Sequence, residues 1–129
     1  MKKIKIRVVT YLRTSSTNNK DVLNKEIEMN KLLEEHKEDW EVVAQFEDIG
    51  CGGRRLEREG LSNLFEKLDS VNMVVSLSSE MIAKDVLVYK DIYHKIISHN
   101  CSLYIRDVHR SNIPKKKFKN LDLLTVFGI

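Results

Sequence analysis

Apolar residues in this chain alternate between two spacings, one typical of buried strands and the other of amphipathic helices. Runs rich in β-branched residues predict strands at Ile4–Thr10, Trp40–Phe46, Met73–Leu77 and Leu103–Arg106. Helical spacing between these runs predicts helices over about 20–37, Leu56–Leu68 and about 81–98. This order predicts an α/β domain with a central, mostly parallel sheet of four to five strands flanked by helices.

Length and composition limit the class of protein. A chain of 129 residues is long enough for one hydrophobic core and too short for two, so residues 1–129 are predicted to form one domain. Hydrophobic residues make up 42% and charged residues 32%, and no apolar run approaches the ~20 residues of a membrane span. The first strand follows Met1-Lys2-Lys3 directly, which leaves no room for a signal peptide. We therefore expect a cytoplasmic protein with no membrane partner, whose Cys51 and Cys101 are free thiols.

The stretch Tyr11-Leu12-Arg13-Thr14-Ser15-Ser16 follows the first predicted strand and precedes residues with turn chemistry. A serine with an arginine two residues before it is thus predicted where a strand opens into a loop. Reactive groups collect at the carboxyl ends of strands in open α/β sheets. The alternative is that these hydroxyls only cap the next helix.

Glycines cluster in the segment 47–55, which holds three of the five glycines in the chain. The segment has neither the G-x-G-x-x-G pattern before a helix nor the G-K-[ST] of a nucleotide-binding loop. The four histidines show no metal-ligand spacing with cysteine or carboxylate residues. The sequence therefore predicts no cofactor, no metal and no small-molecule substrate.

Basic residues are concentrated near the end of the chain, although the net charge is only +3. Five of them lie between Arg110 and Lys119 with no acidic residue among them. Such a run can neutralise phosphates or can be a solvated loop. After Pro114, apolar residues from Leu121 to Ile129 suggest the start of another helix.

Three blocks of the sequence together resemble the serine recombinases, the resolvase and invertase family. The Tyr-x-Arg-x-Ser-Ser pattern is similar to the family's nucleophile motif. Asp48 with Gly50-x-Gly-Gly53 and Arg58-Glu59-Gly60-Leu61 looks like its second block, and the third strand with Glu80 and Lys84-Asp85 looks like its third. The resemblance extends from residue 4 to about 106 and implies a resolvase-like, three-layer catalytic domain.

The resemblance implies a reaction and a set of site residues. In the family a serine attacks a DNA phosphodiester, the 3′ oxygen leaves, and the 5′ phosphate stays on the serine. By this resemblance Ser15 is the nucleophile, Arg13 and Arg58 cradle the phosphate, and Asp48 orients an arginine or assists proton transfer. Lys67 adds charge from the second helix. Ordinary helix-surface charge is the alternative for Arg58 and Lys67, and an Asx-turn is the alternative for Asp48.

The third block departs from the family pattern Leu-Asp-Arg-Leu-(Gly/Ser)-Arg. Glu80 keeps the carboxylate and Lys84 keeps a positive charge, but Met81 stands where the family has a phosphate-contacting arginine. Two functions follow from the resemblance: a site-specific recombinase catalytic domain, or a catalytically impaired, recombinase-like DNA-binding or assembly module. A third possibility is a regulatory domain that shares only the fold.

The resemblance also implies partners. These are DNA and further copies of the chain, forming dimers and tetramers in the full-length protein. In the family the fourth strand leads to a long helix and then to a DNA-binding domain, and this sequence is expected to stop early in that helix.

Overall fold

A computed structural model describes residues 4–50 and 58–111 of the chain. Its strands are β1 (Ile6–Thr14), β2 (Trp40–Ile49), β3 (Met73–Ser76) and β4 (Ser102–Ile105). Its helices are α1 (Asn19–Glu35), α2 (Glu59–Lys67), α3 (Ser79–Ile82), α4 (Val86–Ser98) and α5 (Arg106–Ser111), and a 3₁₀ turn at Leu68–Ser70 follows α2.

The four described strands form one parallel sheet in the order β2-β1-β3-β4. All nine residues of β1 pair with β2, ending at Thr14 opposite Ile49, and β1 also pairs with β3 on its other side. Parallel strands with helical crossovers are buried on both faces. The predicted α/β fold with a largely parallel sheet is confirmed.

Helices cover both faces of this sheet, and alternation along β1 divides the core between them. Val9 and Tyr11 belong to a cluster with apolar residues of α2 and α4. Val8 and Leu12 belong to a second cluster with Met29 and other residues of α1. The domain thus has three layers, and the carboxyl ends of β1 and β3 open side by side between the helices.

The first two strands are longer than predicted. Tyr11 to Thr14 continue β1, so they are not loop residues, and β2 includes Glu47 to Ile49. Pairing across the sheet extends both strands together, with Arg13 opposite Asp48. Local spacing does not predict this extension, because it carries no information about a partner strand.

The third predicted helix, about 81–98, is wrong as one element. It is interrupted where Ala83 adopts an extended backbone, and Asp85 caps α4 by accepting hydrogen bonds from the N–H groups of Leu87 and Val88. The prediction of Arg106 as a strand residue is also wrong, because Arg106 begins α5.

Some predictions fall on residues outside the described ranges. These are the start of the second helix at Leu56, most of the glycine-rich segment, the basic run from 112 onwards, and the last helix. Within the described ranges, no helix has the length and apolar character that crossing a membrane requires.

Candidate functional site

An open groove of about 240 Å³ lies at the carboxyl ends of β1 and β3. We call it the serine groove, and the residues lining it are Arg13, Thr14, Ser15, Ser16, Asp21, Lys25, Ser78, Glu80, Met81 and Lys84. It is smaller than the ~300–1,000 Å³ pockets that enclose a drug-sized ligand. An open, polar groove of this size suits one charged group of a larger molecule.

Ser15 and Ser16 differ in their hydrogen bonding. The hydroxyl of Ser16 accepts a hydrogen bond from the Asn18 N–H at 2.9 Å. The side chain of Asn18 caps α1 by accepting from the N–H groups of Lys20 and Asp21. Ser15 is exposed, and its hydroxyl makes no hydrogen bond with any described residue. Asn18 therefore does the capping that was the alternative role for the serines, and the Ser15 hydroxyl takes no part in it.

Arg13 is the last charged residue of β1, and only 4% of it is exposed. Its Nε donates to the carbonyl oxygen of Met81 at 3.2 Å, and its Nη2 donates to the carbonyl oxygen of Glu80. These bonds fix the guanidinium in the wall of the serine groove, two residues from Ser15. A guanidinium stays charged at any relevant pH, so it gives this wall a permanent positive charge.

Arg58 lies behind the same wall. It has an extended backbone at the N-cap of α2, and 2% of it is exposed. Its Nη2 donates to Ile82 O at 2.6 Å and its Nη1 to Met81 O at 3.5 Å, while its Nε is buried with no partner among the described residues. Arg13 and Arg58 thus converge on one carbonyl group, that of Met81. The alternative of ordinary helix-surface charge is wrong for Arg58.

Asp48 joins β1, β2 and α2. Its Oδ1 accepts from the Gly60 N–H at 2.8 Å, and its Oδ2 accepts from the Leu61 N–H at 3.0 Å and from the Tyr11 hydroxyl at 2.6 Å. It therefore caps α2 from a neighbouring strand, where the helix dipole favours a negative charge. These partners are 12 or more residues away, so the bonds do not form an Asx-turn.

Burial, and then the hydrogen bond to Asp48, raise the pKa of Tyr11 well above its ordinary value, although the charges of Arg58 and Arg13 oppose this shift. The phenol therefore stays protonated and continues to donate to Asp48. The Arg58 guanidinium carbon lies 5.7 Å from the centre of the Tyr11 ring, within cation–π range.

Gly60 allows α2 to approach β2 closely. A Cβ atom at this position would lie 2.4 Å from the carbonyl oxygen of Glu47 and 2.9 Å from Oδ2 of Asp48. Any side chain here would push α2 away from Asp48 and would move Arg58, which directly precedes the helix.

Glu80, Met81 and Lys84 all line the serine groove, but they present different groups to it. Glu80 and Lys84 are exposed, and Lys84 makes no ion pair with a described residue. Met81 is 4% exposed and belongs to the apolar cluster under α1, with its Sδ 3.6 Å from the Ser76 hydroxyl oxygen. Its carbonyl group, rather than its thioether, is what the two arginines bind.

Lys67 and Arg110, two basic residues named in the sequence analysis, do not line the serine groove. Lys67 is the exposed last residue of α2, about 12 Å along the helix from Glu59, and it is not among the residues lining the serine groove. Arg110, at the start of the basic run, binds both carboxylate oxygens of Glu35 at 2.9 Å. Neither residue is part of the lining of the serine groove.

Sequence reasoning assigned no role to several residues of the site. Lys25, Asp21 and Ser78 line the serine groove, and the Tyr11 hydroxyl holds Asp48. Asp21 and Lys25 are four residues apart on α1, and this spacing could have indicated that they share a helix face. Among the described residues, no group of three or more histidine, cysteine or acidic side chains comes together as metal ligands would.

Comparisons with known proteins show the family of the chain. The family model described as "Resolvase, N terminal domain" matches residues 8–129. No curated protein sequence matches the chain.

Solved structures share the fold. The N-terminal catalytic domain of TP901-1 integrase superposes with a TM-score of 0.69 at 17% identity, covering 94% of this chain and 95% of that one. The C-terminal catalytic domain of ISC1926 TnpA, an IS607-like serine recombinase, gives 0.68 at 21% identity, covering 78% and 69%. A resolvase family site-specific recombinase from Streptococcus pneumoniae gives 0.65 at 17% identity, covering 96% and 95%.

Proposed function

The chain belongs to the resolvase N-terminal domain family, the catalytic domain of serine recombinases, and we propose that it cuts and rejoins DNA at specific sites through a 5′-phosphoserine intermediate. The observation that carries the proposal is the state of Ser15. Its hydroxyl is exposed in the serine groove, makes no hydrogen bond with a described residue, and lies two residues from a buried arginine.

In the proposed step, the Ser15 Oγ forms a bond to phosphorus and the bond from phosphorus to the deoxyribose 3′ oxygen breaks. Ser15 loses a proton and the leaving 3′ oxygen gains one, so charge and atoms balance. The phosphate-ester energy remains in the phosphoserine bond. Attack by a 3′ hydroxyl reverses the step and rejoins the strand, so no nucleotide is consumed.

Positive charge near the phosphate would stabilise the transition state, in which negative charge spreads over the phosphoryl oxygens. Arg13 supports this role because its guanidinium is fixed in the groove wall by two carbonyl groups. Arg58 adds a second positive charge directly behind it, where low solvent access strengthens the interaction. Lys84 and Glu80 complete the groove at its exposed side.

For Asp48 we propose a positioning role rather than proton transfer. Both carboxylate oxygens already accept hydrogen bonds, from Tyr11 and from the first turn of α2. These bonds fix α2 and hence Arg58, which precedes it. For Lys67 we propose only a contribution to the surface charge of α2, because it is an exposed residue that does not line the serine groove.

Met81 favours the second candidate function, a catalytically impaired recombinase-like module that binds DNA or assembles with an active partner. Its thioether carries no charge and is packed in the apolar cluster under α1. A single arginine is worth about 10³–10⁵ in rate in other phosphoryl-transfer enzymes, or roughly 4–7 kcal/mol of barrier. We therefore expect slow cleavage even with an intact Ser15.

Covalent trapping tests the proposal. The intact protein is incubated with a DNA duplex nicked near the cleavage point, so that the small leaving fragment diffuses away, and protein–DNA adducts are resolved on a denaturing gel. We expect an adduct in wild type and in Ser16→Ala, and none in Ser15→Ala. An adduct that persists in Ser15→Ala would refute the assignment of the nucleophile, and no adduct in any variant would favour the non-catalytic module.

The partners and location in this proposal follow from family membership. We propose that the full-length protein binds DNA, assembles into dimers and tetramers, and acts in the cytoplasm, where it can reach DNA. Sedimentation of the full-length protein with and without a DNA duplex tests the assembly.

A further inference from the structure

Lys25 lines the serine groove, but the reaction proposed above assigns it no role. It lies on α1, whereas the other basic groove residues lie on β1 and just after α3. It therefore brings a positive charge to the groove from a different element of the fold.

The ion pairs of Glu28 show how firmly Lys25 is held. Lys25 Nζ lies 3.8 Å from Glu28 Oε2, and both side chains are more than a third exposed. Arg106 Nη1 binds Glu28 Oε1 at 2.8 Å, and the Arg106 side chain is only 14% exposed. Arg106 is thus the closer and more buried partner of Glu28. An exposed ion pair at the distance of Lys25 contributes only about 0–1 kcal/mol.

Lys25 is consequently free to exchange partners at little cost. Its flexible four-carbon stem and compact ammonium group can move from Glu28 to another anion in the groove. Glu28 keeps Arg106 when this happens, so no carboxylate is left without a cation.

We propose that Lys25 is a phosphate-contacting residue that leaves Glu28 and binds the DNA phosphodiester in the serine groove. This inference rests on the proposed function, since it takes DNA as the substrate of that groove. Lys25 supplies positive charge that the Met81 side chain does not provide. As a point charge on a mobile stem, it stabilises the bound phosphate without the fixed, two-pronged geometry of an arginine.

The test measures DNA binding in a Ser15→Ala background, so that the result does not depend on cleavage. A mixed-sequence DNA duplex is titrated with Ser15→Ala protein carrying Lys25→Gln, Lys25→Arg or Lys31→Gln, over a range of salt concentrations. Lys31 is the matched control, because it is an exposed lysine of the same helix that does not line the groove. Circular dichroism confirms that each variant is folded.

Each phosphate contact contributes about −0.9 to the slope of log K against log salt, so the loss of one contact makes this slope less steep by about 0.9. Lys25→Gln should therefore weaken binding about five- to tenfold near 0.1 M salt and reduce that slope by about one. Lys25→Arg should restore both values, and Lys31→Gln should change neither. The inference is overturned if Lys25→Gln matches Lys31→Gln, or if Lys25→Arg binds as weakly as Lys25→Gln. If the parent protein itself does not bind the duplex, the proposed function fails first.

Discussion

Gly60→Ala tests how closely α2 must approach β2. Alanine in a helix is normally about 1 kcal/mol more favourable than glycine, so propensity alone predicts stabilisation. Here the new Cβ would lie 2.4 Å from a backbone oxygen of Glu47, which cannot rotate away as a flexible side chain could. Carbon atoms make their best contacts at ~3.5 Å or more, so α2 would have to retreat by about 1 Å.

That retreat would break the hydrogen bonds from the Gly60 and Leu61 N–H groups to Asp48, now 2.8 and 3.0 Å long. Hydrogen bonds to a charged group contribute about 1.5–3 kcal/mol each, so the loss is roughly 3–6 kcal/mol. After the ~1 kcal/mol gain in propensity, we expect a net destabilisation of about 2–5 kcal/mol. The free energy lost through the steric clash therefore exceeds the free energy gained in helix propensity.

Urea unfolding followed by circular dichroism measures this difference. With an m-value near ~2 kcal/mol/M, the midpoint should fall by about 1–2.5 M. Ser62→Ala is the control, because Ser62 is an exposed residue of the same helix. Adduct formation should fall as well, since Arg58 moves with α2. A Gly60→Ala protein as stable as wild type would show that α2 does not need this approach, and the argument for how Arg58 is positioned would be wrong.

Three further predictions follow from the same contacts. Tyr11→Phe removes the buried donor to Asp48 and should lower the free energy of unfolding, measured in urea, by about 1.5–3 kcal/mol. Tyr89→Phe is the control and should lower the free energy of unfolding by less, because the Tyr89 hydroxyl makes no hydrogen bond to a described residue. Burial raises the pKa of Tyr89 to about 12, and burial together with the hydrogen bond to Asp48 raises the pKa of Tyr11 above its ordinary value. The folded state therefore favours the neutral phenols, so their contribution to stability is fully present below pH 10 and is lost as the pH rises. Above pH 10, Tyr11→Phe should therefore flatten the decline in unfolding free energy by about 1.4 kcal/mol per pH unit, and an unchanged slope would contradict the shift. Met81→Arg with Lys84→Arg should increase adduct formation if an arginine can leave the apolar cluster for the groove; a folded double variant with no increase would favour the non-catalytic module.

The order of strands and helices could be predicted from the sequence because it depends on local spacing. Val8 and Val9 alternate between the two faces of β1, and Met29 and Leu32 lie one turn apart on α1. Each pattern can be recognised within a dozen residues. The proposed nucleophile position also depends on local features, since Arg13 and Ser15 are two residues apart at the end of β1.

The contacts that build the site join residues distant in sequence, and only the tertiary structure decided them. The register that puts Arg13 opposite Asp48 extends β1 through Thr14 and brings Asp48 close to the Tyr11 hydroxyl, 37 residues away. Arg58 is buried because α2 docks against that carboxylate, which its local sequence does not indicate. The resemblance to serine recombinases implies an arginine at the position of Met81, but whether the Met81 side chain joins the groove or the core depends on packing under α1. Lys25 reaches the groove for the same reason: long-range packing, unlike periodicity, leaves no local pattern in the chain.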